Sequence, residues 1–277
     1  MAEVSYCAEQ VRLFDNDRFL ASLFASEAVR EDLFALYAFN LELSKIRETV
    51  SEPMIGRMRL QFWRDSLPGV AAGNPPQHAV AEPLAACVAR AGIAESELAA
   101  LIDARETDLD DVPPRDLAAF EDYAVRTSSS VMALALRVLG EDPQRHADLL
   151  RAAGIAVALV GLVRAIPFMA AAGRVTLPAD LCARAGLDPA QPHQWPQNPD
   201  LREITGPLLA AAARHLHDAR GKMPGRTALP AFLPLSLAAL YLKDLKKVGG
   251  DPARHAARPP GVRRPLTVLW RSALGRI

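Results

Sequence analysis

The residues of this chain best suited to chemistry are the acidic side chains near its middle. The segment LIDARETDLDD, 101–111, carries Asp103, Glu106, Asp108, Asp110 and Asp111. Carboxylate oxygens are the ligands that Mg²⁺ prefers, so a metal cluster is one interpretation. The alternative is a solvent-exposed acidic helix end, although the helix dipole disfavours acidic side chains at a C-terminus and so invites a basic partner.

A second candidate is Arg164, which lies within the longest apolar stretch, Ala152 to Ala172. An unpaired guanidinium is costly to bury. We therefore expect either an ion pair, with a carboxylate such as Glu48 or Asp108, or a bound phosphate. Arg164 and Pro167 interrupt the apolar run, which favours a buried helix over a membrane span.

The C-terminal residues combine positive charge with an apolar stripe. No acidic residue follows Asp251, whereas Leu266, Leu269, Trp270 and Ala273 recur at helical spacing among arginines. A short basic amphipathic helix of this kind can lie on an anionic membrane surface. Docking of the stripe on the rest of the protein is the alternative. The candidates for membrane contact are Arg263, Arg264, Trp270 and Arg271.

Helical spacing runs through the whole sequence, and the alternating pattern of strands is nearly absent. Short turn compositions such as Gly73-Asn74-Pro75-Pro76 separate the helices, and none is long enough for a flexible linker. We therefore predict an all-α fold, with one helical domain over 1–250 and a basic amphipathic tail over 251–277. The predicted helices span 17–27, 28–49, 53–68, 78–91, 95–109, 116–139, 145–170, 201–222, 230–247 and 264–275.

Composition narrows the classes of partner. The formal net charge is zero, so no global field attracts nucleic acid. The three cysteines are widely spaced and odd in number, which favours free thiols in a reducing compartment. The N-terminus shows neither a secretory signal nor an Arg/Ser-rich transit pattern. Together with heavy use of Ala and Arg, these features predict a protein of the bacterial cytoplasm, peripheral at the inner membrane if the tail binds lipid.

Three blocks of sequence resemble the squalene/phytoene synthase family. AVREDLFALYAFNLELSKIRETVSEPMIGRMRLQFWRD, 28–65, is similar to the first conserved block of that family. GIAVALVGLVRAIPFMAAAGRVTLPAD, 154–180, is similar to the second, and LIDARETDLDD with YAVRTSSSV, 123–131, resembles the middle segment. The resemblance extends over roughly 15–190. It implies a single-domain isoprenoid-synthase-type helical bundle around a central apolar cavity.

The resemblance also implies where Mg²⁺ would be bound. In the family, each of two helices carries aspartates four residues apart, which project from one helix face and hold Mg²⁺ against a substrate diphosphate. Here the first pair of positions holds Ser44 and Glu48, and the second holds Ala165 and Met169. Alanine and methionine are not Mg²⁺ ligands, so we expect no metal and no other cofactor.

Further positions of the family's cavity follow by the same resemblance. The Gln and Asn that precede the second motif are replaced by Ala158 and Gly161, whereas Arg164 is retained. The loss therefore extends beyond the aspartates to their neighbours. The pocket candidates are Tyr37, Asn40, Leu41, Asp103, Asp108, Tyr123, Ala158, Gly161 and Arg164.

One branch of the family is similar at these departures. The assembly factors of respiratory complex I (NADH:ubiquinone oxidoreductase) resemble this chain at YAFNLELSKIRETVSE, at DLDD and at LVRAIPF. This resemblance implies a catalytically inactive protein whose partners are complex I subunits or other assembly factors. Two alternatives remain. One is a head-to-head prenyl diphosphate transferase with Mg²⁺ held by Asp103, Asp108 and Glu48; the other is a non-catalytic protein that binds an isoprenoid or a quinone.

Overall fold

A computed structural model describes residues 4–195, 200–220, 222–257 and 261–277. Every regular element within these ranges is helical, which confirms the predicted all-α class. Short 3₁₀ turns and one π-helical segment, Val125–Ser129, join the helices. The α-helices are α1 (Tyr6–Phe14), α2 (Asn16–Ser22), α3 (Glu27–Lys45), α4 (Pro53–Ala71), α5 (Ala81–Ala91), α6 (Glu95–Glu106), α7 (Leu117–Ala124), α8 (Ser130–Val138), α9 (Ala147–Ala171), α10 (Ala179–Arg184), α11 (Arg202–Ala219), α12 (Leu229–Lys247), α13 (Pro252–Ala256) and α14 (Arg263–Leu274).

Helix α9 forms the centre of the molecule and packs against both α11 and α12. Its buried residues, among them Leu150, Ile155 and Leu162, cover most of its circumference, as expected of a helix that is largely enclosed by others. Among the described residues, one helical stretch, Pro143–Ala171, is long and apolar enough to cross a membrane. Since 67% of its most apolar window is buried inside the protein, it is better described as a core helix.

Helix α3 forms the other wall of the core and packs against α1, α5 and α8. Its middle is buried almost completely, and Phe39 meets the Trp63 ring of α4 edge to face with a centroid separation of 4.9 Å. Burying two aromatic rings at this contact fixes the position of α4 relative to α3.

Helix α2 is short, and its first turn is defined by Asp15. The Asp15 carboxylate accepts a hydrogen bond from the backbone N–H of Arg18 at 3.2 Å and pairs with the Arg18 guanidinium at 2.5 Å. This N-cap places Asp17 in the first turn, where the helix dipole favours a negative charge.

Several boundaries differ from the prediction. Helices α1, α10 and α13 were not expected; they are short, with nine, six and five residues. The predicted helix 116–139 is interrupted by the π-helical segment, where Ser129 lies against Gly154 of α9. Helix α3 ends at Lys45, and a 3₁₀ turn, Arg47–Thr49, completes the predicted span 28–49.

Candidate functional site

The face of α3 that carries the first motif runs from the core to the surface. Tyr37, Asn40 and Leu41 are buried, Ser44 is half-buried and Glu48 is exposed. Burial raises the pKa of Tyr37 to about 12. The Ser44 hydroxyl donates to the carbonyl of Leu41 at 3.2 Å, so it is used within its own helix. The side chains therefore offer one carboxylate, at the exposed end.

The face of α9 that carries the second motif is only partly covered. Ala158, Gly161, Arg164, Ala165 and Met169 follow helical spacing and are all half-buried. A Cβ placed on Gly161 would meet no heavy atom within 4 Å. Open space therefore adjoins α9 at the position where the family has an amide side chain, and we call this space the motif cleft.

Arg164 is paired, but neither Glu48 nor Asp108 is its partner. Its Nη1 lies 3.7 Å from a carboxylate oxygen of Asp17, and its guanidinium lies 3.8 Å from the centre of the Tyr241 ring. Tyr241 donates a hydrogen bond to Asp17 at 2.7 Å, and Arg264 donates to the same carboxylate at 2.5 Å. Sequence reasoning missed Asp17 and Tyr241, since neither lies within a motif.

These four side chains, which we call the Asp17 cluster, join α2, α9, α12 and α14. Burial raises the pKa of Tyr241, and the neighbouring Asp17 carboxylate raises it further. Tyr241 is thus held neutral as a hydrogen-bond donor. One carboxylate serves two guanidinium groups, so the cluster carries a net positive charge, which disfavours a cation and suits an anion.

The acidic segment 103–111 is neutralised by arginines. Arg64 of α4 binds both Asp103, at 2.8 Å, and Glu106, at 2.7 Å. Arg105 lies 3.3 Å from Asp108, and its Nη1 also donates to the Tyr123 hydroxyl at 2.7 Å. The two remaining acids lie at the end of the segment, where Arg57 binds Asp110 and Arg47 binds Asp111.

This network explains how acidic residues are tolerated at the C-terminal end of α6. Each carboxylate has a guanidinium partner, in agreement with the basic partner that the helix dipole demands. Within the described ranges, no group of three or more His, Cys, Asp and Glu side chains is arranged to hold a metal ion. The donor set on α3 and α9 does not fit Mg²⁺ either, because Ser44, Ala165 and Met169 supply no carboxylate.

Basic residues occupy the end of α3 instead. The Lys45 ammonium lies over the Phe14 ring, and burial lowers the pKa of Lys45 below its ordinary value. Arg47 donates from Nε to Asp111 at 2.9 Å, while Arg174 donates to the carbonyl of Arg47 at 2.6 Å. The turn after α3 is therefore held to the acidic segment on one side and to the segment after α9 on the other.

Helix α14 packs on α12 and α2 through its less apolar side. Val268 is its one fully buried residue, and Arg264 points inward to Asp17. Leu266, Leu269 and Trp270 are 56%, 55% and 66% exposed. The apolar stripe therefore faces outward and is not docked on the domain. Of the expected surface residues, Arg263 binds Asp244 at 2.8 Å, and Arg271 is half-buried and donates to the carbonyl of Ile277 at 3.4 Å.

Comparison with known proteins identifies the family. The family model for squalene/phytoene synthase matches residues 11–267. The chain is 34% identical over 273 residues to the complex I assembly factor 6 of Bos taurus, covering 96% of this chain and 81% of that protein. It is 35% identical over 251 residues to the same factor of Homo sapiens, covering 89% and 74%.

Relatives with an enzyme's name are more distant. A presqualene diphosphate synthase of Sinorhizobium fredii is 28% identical over 188 residues, covering 67% of this chain and 66% of that protein. The crystal structure of a dehydrosqualene synthase superposes with a TM-score of 0.76 at 18% identity, covering 97% of this chain and 94% of that one. At this identity the structural match speaks for the fold alone.

The predicted location in the bacterial cytoplasm is wrong. The relatives at 34 and 35% identity are eukaryotic complex I assembly factors. The prediction rested on composition and on an N-terminus without a signal, and neither feature distinguishes a bacterial protein from a eukaryotic one. The matched family, the retained fold and the replaced metal ligands agree with one another. The chain belongs to the squalene/phytoene synthase family, in the branch that resembles the complex I assembly factors and has a degenerate prenyl-synthase site.

Proposed function

We propose that this protein acts in the assembly of respiratory complex I and does not catalyse prenyl transfer. The observation that carries the proposal is the 34% identity to a protein named as a complex I assembly factor, over 96% of this chain. The same stretch matches a presqualene diphosphate synthase less well and less completely. The partners would be complex I subunits or other assembly factors.

The chemistry of the motif cleft supports the non-catalytic part of the proposal. Prenyl transfer needs metal ions to neutralise a leaving diphosphate. At the two motifs, Glu48 in the turn after α3 is the one carboxylate, while Asp103 and Asp108 are bound by arginines. Rebuilding a metal site from these carboxylates would require breaking their ion pairs.

The assembly role is tested in cells of the source organism that lack the gene. We expect less assembled complex I on native gels and lower NADH:ubiquinone activity, both restored by the wild-type chain. The variant Glu48→Ala should restore them equally, because the proposal gives this carboxylate no catalytic task. Normal complex I in the deletion strain would contradict the assembly role.

The enzyme alternative is tested on the purified protein with Mg²⁺ and labelled farnesyl or geranylgeranyl diphosphate. We expect no squalene- or phytoene-type product. A Mg²⁺-dependent product that disappears in an Asp103→Ala, Asp108→Ala and Glu48→Ala triple variant would instead establish an active prenyl transferase. Such a product would not decide the assembly experiment, because one protein can catalyse prenyl transfer and also assist assembly.

The open space beside Gly161 favours a second candidate function, binding of an isoprenoid or quinone without chemistry. Ala158 and Ala165 lie at helical spacing from Gly161 on the same face of α9 and would supply apolar surface of the kind that such ligands need. Gly161→Leu should fill the space and abolish binding of a ubiquinone analogue, while Gly161→Ala should weaken it less. Equal binding by wild type and Gly161→Leu would exclude this site.

The outward stripe of α14 supports peripheral association with an anionic membrane. Exposed Leu and Trp side chains beside arginines are typical of interfacial helices. Leu269→Asp with Leu274→Asp should abolish co-flotation with vesicles that contain phosphatidylglycerol. Both side chains are exposed, so folding should be unaffected. Undiminished flotation of this variant would overturn the role of α14.

A further inference from the structure

A large groove lies between α11, α12 and α14, and its residues belong to none of the family motifs. Its volume is about 1140 Å³. Its apolar part comes from all three helices and includes Leu216 of α11, Leu235 and Leu242 of α12, and Leu266 and Trp270 of α14. The groove is therefore larger than the 300–1,000 Å³ typical of small-molecule sites and apolar along its floor.

The rim of the groove is basic. Arg220, Lys243 and Lys246 line it, are exposed, and have no carboxylate within 4 Å among the described residues. Arg263 and Lys247 also line it and share Asp244 as their partner. Among the described residues, no acidic side chain lines the groove. These five basic side chains thus share a single carboxylate, so the rim carries a net positive charge, which favours an anionic group held there.

A buried polar atom also lines the groove. Ser236 is 3% exposed, and its hydroxyl has no hydrogen-bond partner within the described structure. A buried hydroxyl without a partner is costly. Its place on the groove side of α12 offers a hydrogen-bond donor and acceptor to a molecule that enters, close to the apolar floor rather than to the basic rim.

We propose that this groove binds a single anionic lipid, with its phosphate headgroup at the basic rim and its alkyl chains on the apolar floor. Charge complementarity identifies the headgroup, and the exposed apolar walls identify the chains. The groove borders the outward stripe of α14, since Leu266 and Trp270 belong to both. A lipid could thus enter from a membrane on which α14 rests. The site goes beyond the assembly role and does not rest on it.

The fluorescence of Trp270 can report whether the groove is occupied. Of three tryptophans, Trp270 lines the groove and is 66% exposed, whereas Trp63 is 3% exposed and the half-buried Trp195 is not part of the lining. Alkyl chains beside Trp270 should shift its emission to shorter wavelength. Phosphatidylglycerol with six-carbon chains, used below its micelle concentration, provides an anionic lipid without a membrane. Phosphatidylcholine of the same chain length and inorganic phosphate are the two comparison ligands.

We expect a blue shift with phosphatidylglycerol, at least tenfold weaker binding of phosphatidylcholine, and no shift with inorganic phosphate. Lys243→Glu with Lys246→Glu should weaken phosphatidylglycerol binding at least tenfold. The matched control, Arg115→Glu with Arg184→Glu, makes the same change of charge at exposed positions outside the groove and should bind as wild type does. Unchanged circular dichroism and unfolding midpoints establish that both variants fold. Trp270→Phe should remove the signal.

Three results would overturn the proposal: equal affinity for the two lipids, equal affinity of the Lys243/Lys246 variant and wild type, or an acidic amphipathic peptide that displaces the lipid at lower concentration. The last result would assign the groove to a protein partner. Complex I assembly in cells that carry the Lys243/Lys246 variant is measured separately, so loss of lipid binding and loss of the assembly role are distinguishable.

Discussion

Asp17 has three partners at once, and its loss would affect each of them differently. It accepts hydrogen bonds from Tyr241 and Arg264, and it lies 3.7 Å from Arg164. Its carboxylate is 22% exposed, so solvent can compensate only part of what is removed. Two guanidinium groups would then lie close together without a counter-charge, which is unfavourable in a partly buried setting.

We expect Asp17→Ala to lower the free energy of unfolding by about 1–3 kcal/mol, because it leaves donors without an acceptor. Tyr241→Phe should cost about 0.5–1.5 kcal/mol, the usual contribution of one hydrogen bond. Urea unfolding of both single variants and the double variant gives their coupling. Glu9→Ala, in the exposed pair with Arg12, is the control and should change stability by less than about 0.5 kcal/mol. If Asp17→Ala changed the free energy of unfolding as little as Glu9→Ala does, Asp17 would not be the residue that holds the cluster together.

For individual residues, the sequence predicted that Arg164 requires a partner but did not identify Asp17 as that partner. An arginine in an apolar helix must be compensated, so a carboxylate near Arg164 could be expected. Asp17 could not be identified, because it is distant in sequence and its surroundings, FDND, are those of an ordinary helix start. Two of the arginine partners of segment 103–111 were hidden for the same reason: α4 presents Arg57 and Arg64 to it only after folding.

The two glycines of α9 have opposite surroundings. A Cβ on Gly154 would lie 2.1 Å from the Ser129 hydroxyl and 2.6 Å from its backbone nitrogen. A Cβ on Gly161 would meet nothing within 4 Å. The first glycine therefore permits the close approach of α9 to the π-helical segment, whereas the second adjoins the motif cleft.

Replacing each glycine by alanine separates the two situations. Gly154→Ala should destabilise the protein by about 1–3 kcal/mol or more, because backbone atoms must move apart. Gly161→Ala should stabilise it by about 0.5–1 kcal/mol, since alanine is the better helix former and space is available. Thermal unfolding of the two variants measures both. A destabilised Gly161→Ala variant would show that the motif cleft is closed in solution.

The elements themselves were predictable to different degrees. The long helices α3, α4, α9, α11 and α12 follow from apolar spacing, because each buries a face against several neighbours. The break at Val125–Ser129 did not follow, since RTSSS carries no helix-breaking residue and the π-helical turn depends on a contact with α9. Spacing predicted the apolar stripe of α14 but left its outward and docked orientations as alternatives, because spacing alone does not say which way a stripe faces.

The whole molecule buries its three cysteines, Cys7, Cys87 and Cys182, and all three are free thiols. Burial raises the pKa of Cys7 to about 11, that of Cys87 to about 12 and that of Cys182 to about 11. The thiolate is the reactive form. A thiol of pKa about 11 is ionised to roughly one part in a thousand at pH 8, against about a tenth for an ordinary thiol.

We therefore expect almost no reaction of the native protein with Ellman's reagent at pH 8, and reaction of three thiols once guanidinium unfolds it. The pKa values of these thiols are higher in the folded protein than in the unfolded one. Their contribution to the free energy of unfolding is therefore fully present below the ordinary pKa near 9, and it is lost as the pH rises through 11–12. Fast labelling of any native cysteine would show that its segment opens readily.

The contact between Asp17 and Arg264 spans 247 positions of the sequence. It brings the two ends of the described chain together, and α14 is held there by this ion pair, by the ion pair of Arg263 with Asp244 of α12, and by the buried side chain of Val268. Fraying at one end therefore exposes the other, because release of α14 removes a partner from α2, and release of α2 removes the anchor of α14. A ligand bound to the outer side of α14 would therefore stabilise the packing of both α14 and α2. Through Tyr241 and Arg164, it would also stabilise the face of α9 beside the motif cleft.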